Sequence, residues 1–190
     1  MKGRQGYNVA AVALAGEHAG RIRAIPAKRE VCRMPLQETD FRLEDGLVTF
    51  TVFTATYNRA HLLSRVYNSL RQQTFRDFEW LVVDDGSTDD TRTVVETLQR
   101  EADFPIRYIY QENGHKKTAF NRGVKEAKGD LFLPLDHDDE ATPHALEIFH
   151  RHWITIPDDL RSKFTGVCGL CINEKGQIIG DSFPSDVFGQ

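Results

Sequence analysis

From Leu47 onward the chain alternates between two hydrophobic patterns. "LVTFTVFTA" is β-branched and aromatic, which predicts a strand. "NRAHLLSRVYNSLRQQT" places Leu62, Leu63, Val66, Tyr67 and Leu70 at helical spacing, with Asn58 as N-cap. "EWLVVD" is a short continuous apolar run, the pattern of a strand buried on both faces. "STDDTRTVVETLQREA" predicts a helix with Val94, Val95 and Leu98 inward and acidic residues in its first turn. "IRYIYQ" reads as a third strand, and "KKTAFNRGVKEAKG" as a helix ended by Gly129. "DLFLPLD" follows as a fourth strand. "TPHALEIFHRHW" predicts a helix with Thr142 as cap and Pro143 in the first turn. "KFTGVCGLCIN" and "QIIGDSF", joined by "EKG", predict a late hairpin.

Strand and helix in alternation imply the α/β class, with a mostly parallel sheet flanked by helices on both faces. Residues 1–46 do not share the pattern. There "YNVAAVALA" and "GRIRAIPA", separated by "GEHAG", predict a hairpin, and "RMPLQETDFRLEDG" a polar linker. The expected division is an N-terminal extension without assigned role, 1–46, and one domain over 47–190.

Composition narrows the function. A chain of 190 residues, 40 % apolar and 27 % charged, suffices for one domain with a full core. A net charge of −4 argues against general nucleic-acid binding, which needs a basic face. A small phosphorylated ligand needs only a local cation. No apolar run approaches a membrane span. "MKGRQGYNVAAVALAG" resembles a signal peptide only weakly, because its apolar part is short and diluted by alanine. Three cysteines without a disulfide framework fit a reducing cytoplasm.

In parallel sheets ligands bind beyond the carboxyl ends of the strands, so the polar clusters there are the candidates. Thr56, Tyr57 and Asn58 suit a flat heterocycle, or a helix cap beside a core tyrosine. Asp84 and Asp85 precede a Gly86 turn with Ser87 able to cap the next helix; a carboxylate here could accept from a base imide, or the segment is a solvated turn. Asp136, His137, Asp138, Asp139 and Glu140 crowd negative charge against the end of a strand. That crowding calls for a divalent cation, a lysine or water, or else marks an acidic loop before a helix. His115, Lys116 and Lys117 precede a helix start, where they could hold phosphate or be a solvated helix end. No Walker spacing is present.

The order of "TATYNRAHLLSRVYNSLRQQTFRDFEWLVVDDGSTDDT", "ENGHKKTAFNRGVKEAKGD" and "LPLDHDD" over about 48–145 resembles the family 2 glycosyltransferases. The resemblance implies the GT-A fold, that of nucleotide-diphospho-sugar transferases. It implies that Thr56 and Tyr57 contact the base, with Asn58 beside them, and that Asp85 bonds the base next to Asp84. Asp136, His137 and Asp138 would fall in a DxD-type motif near the ribose and diphosphate. Asp138 or Asp139 would bind Mn²⁺ or Mg²⁺, and Lys116 and Lys117 would neighbour the diphosphate. Further expectations are a UDP-sugar donor (uracil being the family's commonest base), a carbohydrate or lipid-linked acceptor, and a role in polysaccharide biosynthesis. The location expected is cytoplasmic, with peripheral association at the inner membrane face for the full enzyme.

The chain departs from the family pattern at Ala55, where proline is frequent, and at Phe120, where arginine is frequent. The carboxylate base of the inverting mechanism lies well downstream of the acidic motif in the family. Asp181 and Asp186 come too early for it, so the domain is expected to be incomplete at its C-terminus. The alternative is a nucleotide-sugar-binding module without catalysis. A nucleotidyltransferase fits less well, for want of a Gly-rich basic loop after the first strand. "CGLC" at 168–171 has redox or zinc half-site spacing, but residues three apart on a strand face opposite sides, which predicts buried structural thiols. His144, His150 and His152 lack the i, i+4 pairing of a helical zinc site.

Overall fold

The computed structural model describes residues 6–7, 14–15, 48–161, 164, 166–169, 171–173 and 176–179. Two short N-terminal strands, β1 (Gly6–Tyr7) and β2 (Leu14–Ala15), precede the regular part. Then come β3 (Val48–Thr56), α1 (Ala60–Arg71), β4 (Phe78–Asp84), α2 (Thr91–Glu101), β5 (Ile106–Tyr110), α3 (His115–Glu126), β6 (Gly129–Pro134) and α4 (Ala145–Ile154). A four-residue helix, α5 (Asp158–Arg161), and strands β7 (Cys171–Asn173) and β8 (Ile178–Ile179) follow. The main sheet has the order β2-β6-β3-β4-β5, parallel throughout except for the antiparallel β2 edge. The predicted late hairpin is present as β7 and β8, and β1 pairs with β7 in the same small sheet. The expected partner of the N-terminal hairpin, residues 20–27, lies outside the described residues, as does the linker.

Alternation along the strands divides the core. Phe50, Val52, Phe78, Trp80, Val82, Leu131 and Leu133 face one side and pack on α1, α2 and α4. Phe53, Ala55, Leu81, Val83 and Phe132 face the other and pack on Ala119 of α3. Phe120 belongs to this second layer, edge-on to Phe53 and Phe132 at 5.7 and 5.6 Å. The ring where the family pattern has arginine is therefore a core contact.

Several helix boundaries differ from expectation. α3 ends at Glu126, and Gly129 opens β6 instead of closing the helix. A Cβ at Gly129 would collide with the backbone of Phe50 and Thr51, so glycine is there for close approach between strands. α4 starts at Ala145, after a turn closed by the Ala145 N–H on the Thr142 carbonyl at 2.9 Å. The first turn of α2 holds no acidic residue, because Asp89 and Asp90 precede it.

A buried polar network ties the end of the sheet remote from the strand C-termini. Glu79 is 2 % exposed. It accepts from Thr51 Oγ1 at 2.8 Å, the Lys128 N–H at 3.1 Å and Arg107 at 3.1 Å. Arg107 also donates to the Glu126 carbonyl at 2.8 Å, joining β5 to the end of α3. A buried charge is tolerated only with such compensation.

Candidate functional site

The chain runs outward through β3, β4 and β5, then crosses back to place β6 on the other side of β3. The gap between the β3 and β6 ends is the switch point at which such sheets bind ligands. A cleft of about 540 Å³ opens there. Ala55, Thr56, Tyr57 and Arg59 line it from the end of β3, Asp85 from β4, Asn113, His115 and Lys116 from the start of α3, and His137 from the loop after β6. Residues far apart in the chain meet because Thr56 is in register with Asp84 and Phe53 with Pro134.

Tyr57 is 47 % exposed and presents its ring to the cleft, so it is not a core tyrosine. Thr56 is 2 % exposed, and its buried Oγ1 has no hydrogen-bond partner among the described residues. Buried hydroxyls are seldom left so, which marks this one as available to a ligand. Asp85 is 4 % exposed. Its Oδ1 accepts from Gln111 Nε2 at 2.6 Å and the Gly114 N–H at 3.0 Å, and no described residue bonds Oδ2. The Asp85 N–H donates to the Thr56 carbonyl at 2.9 Å, which couples the β3 and β4 ends.

Asp84 and Asn58 serve the framework. Asp84 Oδ1 accepts from the Ser87 N–H at 2.8 Å, and Oδ2 accepts from Tyr108 Oη at 2.6 Å. Burial, and next the Asp84 carboxylate, push the Tyr108 phenol well above the ordinary range. Asn58 does not cap α1. It sits at φ +52, and its Oδ1 accepts from the N–H groups of Thr88 and Asp89 at 2.8 and 3.3 Å. Ser87 likewise caps no helix, since its hydroxyl accepts from the Asn58 N–H at 2.8 Å. The capping falls to Asp89, which sequence reasoning missed. Asn and Asp are the residues that tolerate a left-handed backbone best, so the position of Asn58 after the strand was a usable signal.

After β6, one carboxylate oxygen from each of Asp136, Asp138 and Asp139 lies within 4.8 Å of the others. Among the described residues this is the one such grouping, and the histidines of α4 form none. Two cations answer the crowding of charge. Lys116 Nζ lies 2.7 Å from Asp136 Oδ2, and Arg65 Nε lies 2.9 Å from Glu140 Oε1. The Asp139 N–H closes a turn on the Asp136 carbonyl at 3.0 Å. His137 Nδ1 approaches the Ala55 carbonyl at 3.3 Å, which ties this loop to the end of β3. The three carboxylates adjoin the cleft through His137 and Lys116 and are not themselves on its wall. Lys117 is exposed and lies outside the lining.

α1 holds the segment beyond the acidic loop. Ser69 Oγ accepts from the Ala141 N–H at 3.2 Å, and Gln73 Nε2 donates to the Thr142 carbonyl at 2.8 Å. Gln73 Oε1 accepts from the Leu146 N–H at 3.2 Å. Arg65 and Ser69 share one face of α1, and Gln73 continues that spacing just beyond the helix end. Cys168 and Cys171 are half-buried instead of buried.

A doubly flanked parallel sheet with a ligand cleft at its switch point and a carboxylate loop after the adjoining strand has the arrangement of the GT-A nucleotide-diphospho-sugar transferases. The family model described as glycosyl transferase family 2 matches residues 51–165, and the chain belongs to that family. An uncharacterized glycosyltransferase of Nostoc sp. is 43 % identical over 97 residues, covering 51 % of this chain and 30 % of that protein. The GalNAc(5)-diNAcBac-PP-undecaprenol beta-1,3-glucosyltransferase of Campylobacter jejuni is 34 % identical over 131 residues, 66 % of this chain and 38 % of that protein. The crystal structure of S. aureus TarS 1–349 with UDP-GlcNAc superposes with a TM-score of 0.52 at 31 % identity, over 56 % of this chain and 31 % of that one. The corresponding complex with UDP has a TM-score of 0.51. The chain thus spans well under half the length of these relatives.

Proposed function

We propose that this domain binds a nucleotide-diphosphate sugar, with UDP as nucleotide, and that the full protein transfers the sugar with inversion to an acceptor hydroxyl. The observation carrying this is the meeting of Thr56, Tyr57, Asp85 and His137 around one cleft beside the three convergent carboxylates. The likeness to TarS, solved with UDP and UDP-GlcNAc, supports the choice of ligand.

The roles follow from chemistry. Tyr57 offers a ring face for the base. Asp85 Oδ2 accepts from the base imide, while Gln111 and Gly114 hold Oδ1 still. Thr56 Oγ1 donates to the ligand. His137 faces the ribose and diphosphate from the other wall. The donor set of Asp136, Asp138 and Asp139 fits Mn²⁺ or Mg²⁺, since all three offer hard oxygen atoms that already converge. Such an ion, when bound, supplies positive charge against the departing diphosphate. Inverting displacement also requires a carboxylate to take the acceptor proton. The name of the Campylobacter relative supports a lipid-linked glycan as acceptor; the reading adds polysaccharide assembly at the cytoplasmic membrane face. Among the described residues no helix is long and apolar enough to cross a membrane.

A thermal-shift panel of UDP, GDP and dTDP, each with and without Mn²⁺, tests the reading. UDP with Mn²⁺ is expected to raise the midpoint most, and Asp138→Asn or Asp139→Asn to remove the metal-dependent part. No shift with any nucleotide would overturn it. Nucleotide affinity without donor turnover in the full-length protein would instead identify a binding module.

A further inference from the structure

Lys116 stands on two sites at once. It lines the cleft, and its ammonium is 2.7 Å from Asp136, one of the three convergent carboxylates. Both side chains are substantially exposed, 67 % for the lysine and 43 % for the aspartate. The pair is therefore weak and its long stem free to swing. A divalent cation among Asp136, Asp138 and Asp139 would meet that ammonium as a like charge competing for the same oxygen. A diphosphate in the cleft offers Lys116 another anion within its own lining surface.

We propose that Lys116 is a resident counter-ion of the acidic loop, which occupies Asp136 until a nucleotide diphosphate draws the ammonium away. This rests on the nucleotide-sugar reading and adds an order of assembly to it. In the absence of nucleotide, Lys116 offsets part of the charge at Asp136 and weakens divalent-cation binding. Nucleotide binding moves the ammonium to phosphate and opens Asp136. The coupling is reciprocal, so the cation strengthens nucleotide binding by the same factor. Lys116 acts here as a positioning residue, through Asp136.

Mn²⁺ binding to the chain, followed by the loss of the free-ion electron paramagnetic resonance signal with and without UDP, tests this independently of turnover. Lys116→Met keeps most of the length of the side chain and removes the charge; Lys116 is exposed, so the fold should persist, which circular dichroism checks. Without UDP, this variant is expected to bind Mn²⁺ about two- to fivefold tighter than the parent, the scale of an exposed charge pair. UDP should then improve its Mn²⁺ affinity by a smaller factor than it does for the parent. Lys116→Arg, which keeps the charge, should restore the weaker binding. Unchanged or weaker Mn²⁺ binding by Lys116→Met, with UDP and Mn²⁺ still binding together, overturns the counter-ion role alone. Absence of Mn²⁺ binding in every variant, with or without UDP, overturns this role together with the metal-assisted reading beneath it.

Discussion

The carboxylate of Asp89 accepts from the N–H of Ala60, the first residue of α1, at 3.1 Å. Its other oxygen accepts from the N–H and hydroxyl of Thr91, which opens α2, at 3.1 and 2.5 Å. One side chain thus caps two helices, and the Asn58 bonds to Thr88 and Asp89 lie directly beside it. The turns that carry Tyr57 and Asp85 are held together by this clasp.

Asp89→Ala is expected to cost about 1 kcal/mol, the usual loss of a helix cap. Burial works against ionisation of this carboxylate, but the bonds from Thr91 and Ala60 outweigh it and hold its pKa below the ordinary 3.8. A depressed folded-state pKa stabilises above the ordinary value, and that contribution is lost as pH falls through the folded value. Urea melts of parent and variant should therefore converge as pH is lowered from about 5 towards 3.

Tyr108→Phe removes the only side-chain donor to Asp84 Oδ2 among the described residues, in a carboxylate that is 1 % exposed. The expected loss is about 1–3 kcal/mol at neutral pH. Because the phenol pKa is raised in the folded state, its stabilisation is complete below the ordinary value of 10.0 and declines as pH rises beyond it. Melting temperatures should show the gap between parent and variant narrowing in that alkaline range.

Glu79→Ala strips Arg107, Thr51 and the Lys128 N–H of their shared acceptor. Arg107 is a quarter exposed and keeps Glu126 as partner, so the loss is that of the hydrogen bonds, about 1–3 kcal/mol. Chemical denaturation should register a loss of that size. The site lies at the far end of the sheet, so UDP affinity of the folded fraction should change less than twofold, about the limit for distant independent sites.

Asp85→Ala should act in the opposite way. It removes the proposed base acceptor together with the anchor of Gly114. UDP affinity measured by calorimetry is expected to fall about tenfold or more, the usual loss for a charged hydrogen bond. Mn²⁺ binding at the Asp136 loop should persist.

The alternation of strand and helix was legible because it rests on local periodicity: "LVTFTVFTA" and "EWLVVD" became β3 and β4 almost without adjustment. Helix ends were less legible. Asn58, Ser87 and Thr142 all have the chemistry of caps, yet Asn58 and Ser87 bond across the sheet ends to each other's loops. Which N–H group lies within reach of a short side chain is a matter of distance in space, and spacing along the chain carries little of it. Gly129 shows the same limit: a helix stop and a strand crossing both ask for glycine, and only the approach of Phe50 and Thr51 distinguishes them.

The sequence by itself determined the order of elements, the parallel sheet and the three polar clusters at the strand ends, since hydrophobic period and turn chemistry are local properties. Tertiary structure alone decided how the cluster residues divide their labour. It turned Asp84 inward to Tyr108, left Asp85 on the cleft wall, and put Lys116 on Asp136. Adjacent residues on a strand point to opposite faces, and partners twenty or more positions away are set by register and crossover. The balance of charge at the acidic loop is therefore a property of the folded sheet, whose strands bring a lysine from one helix and an arginine from another to the same five residues.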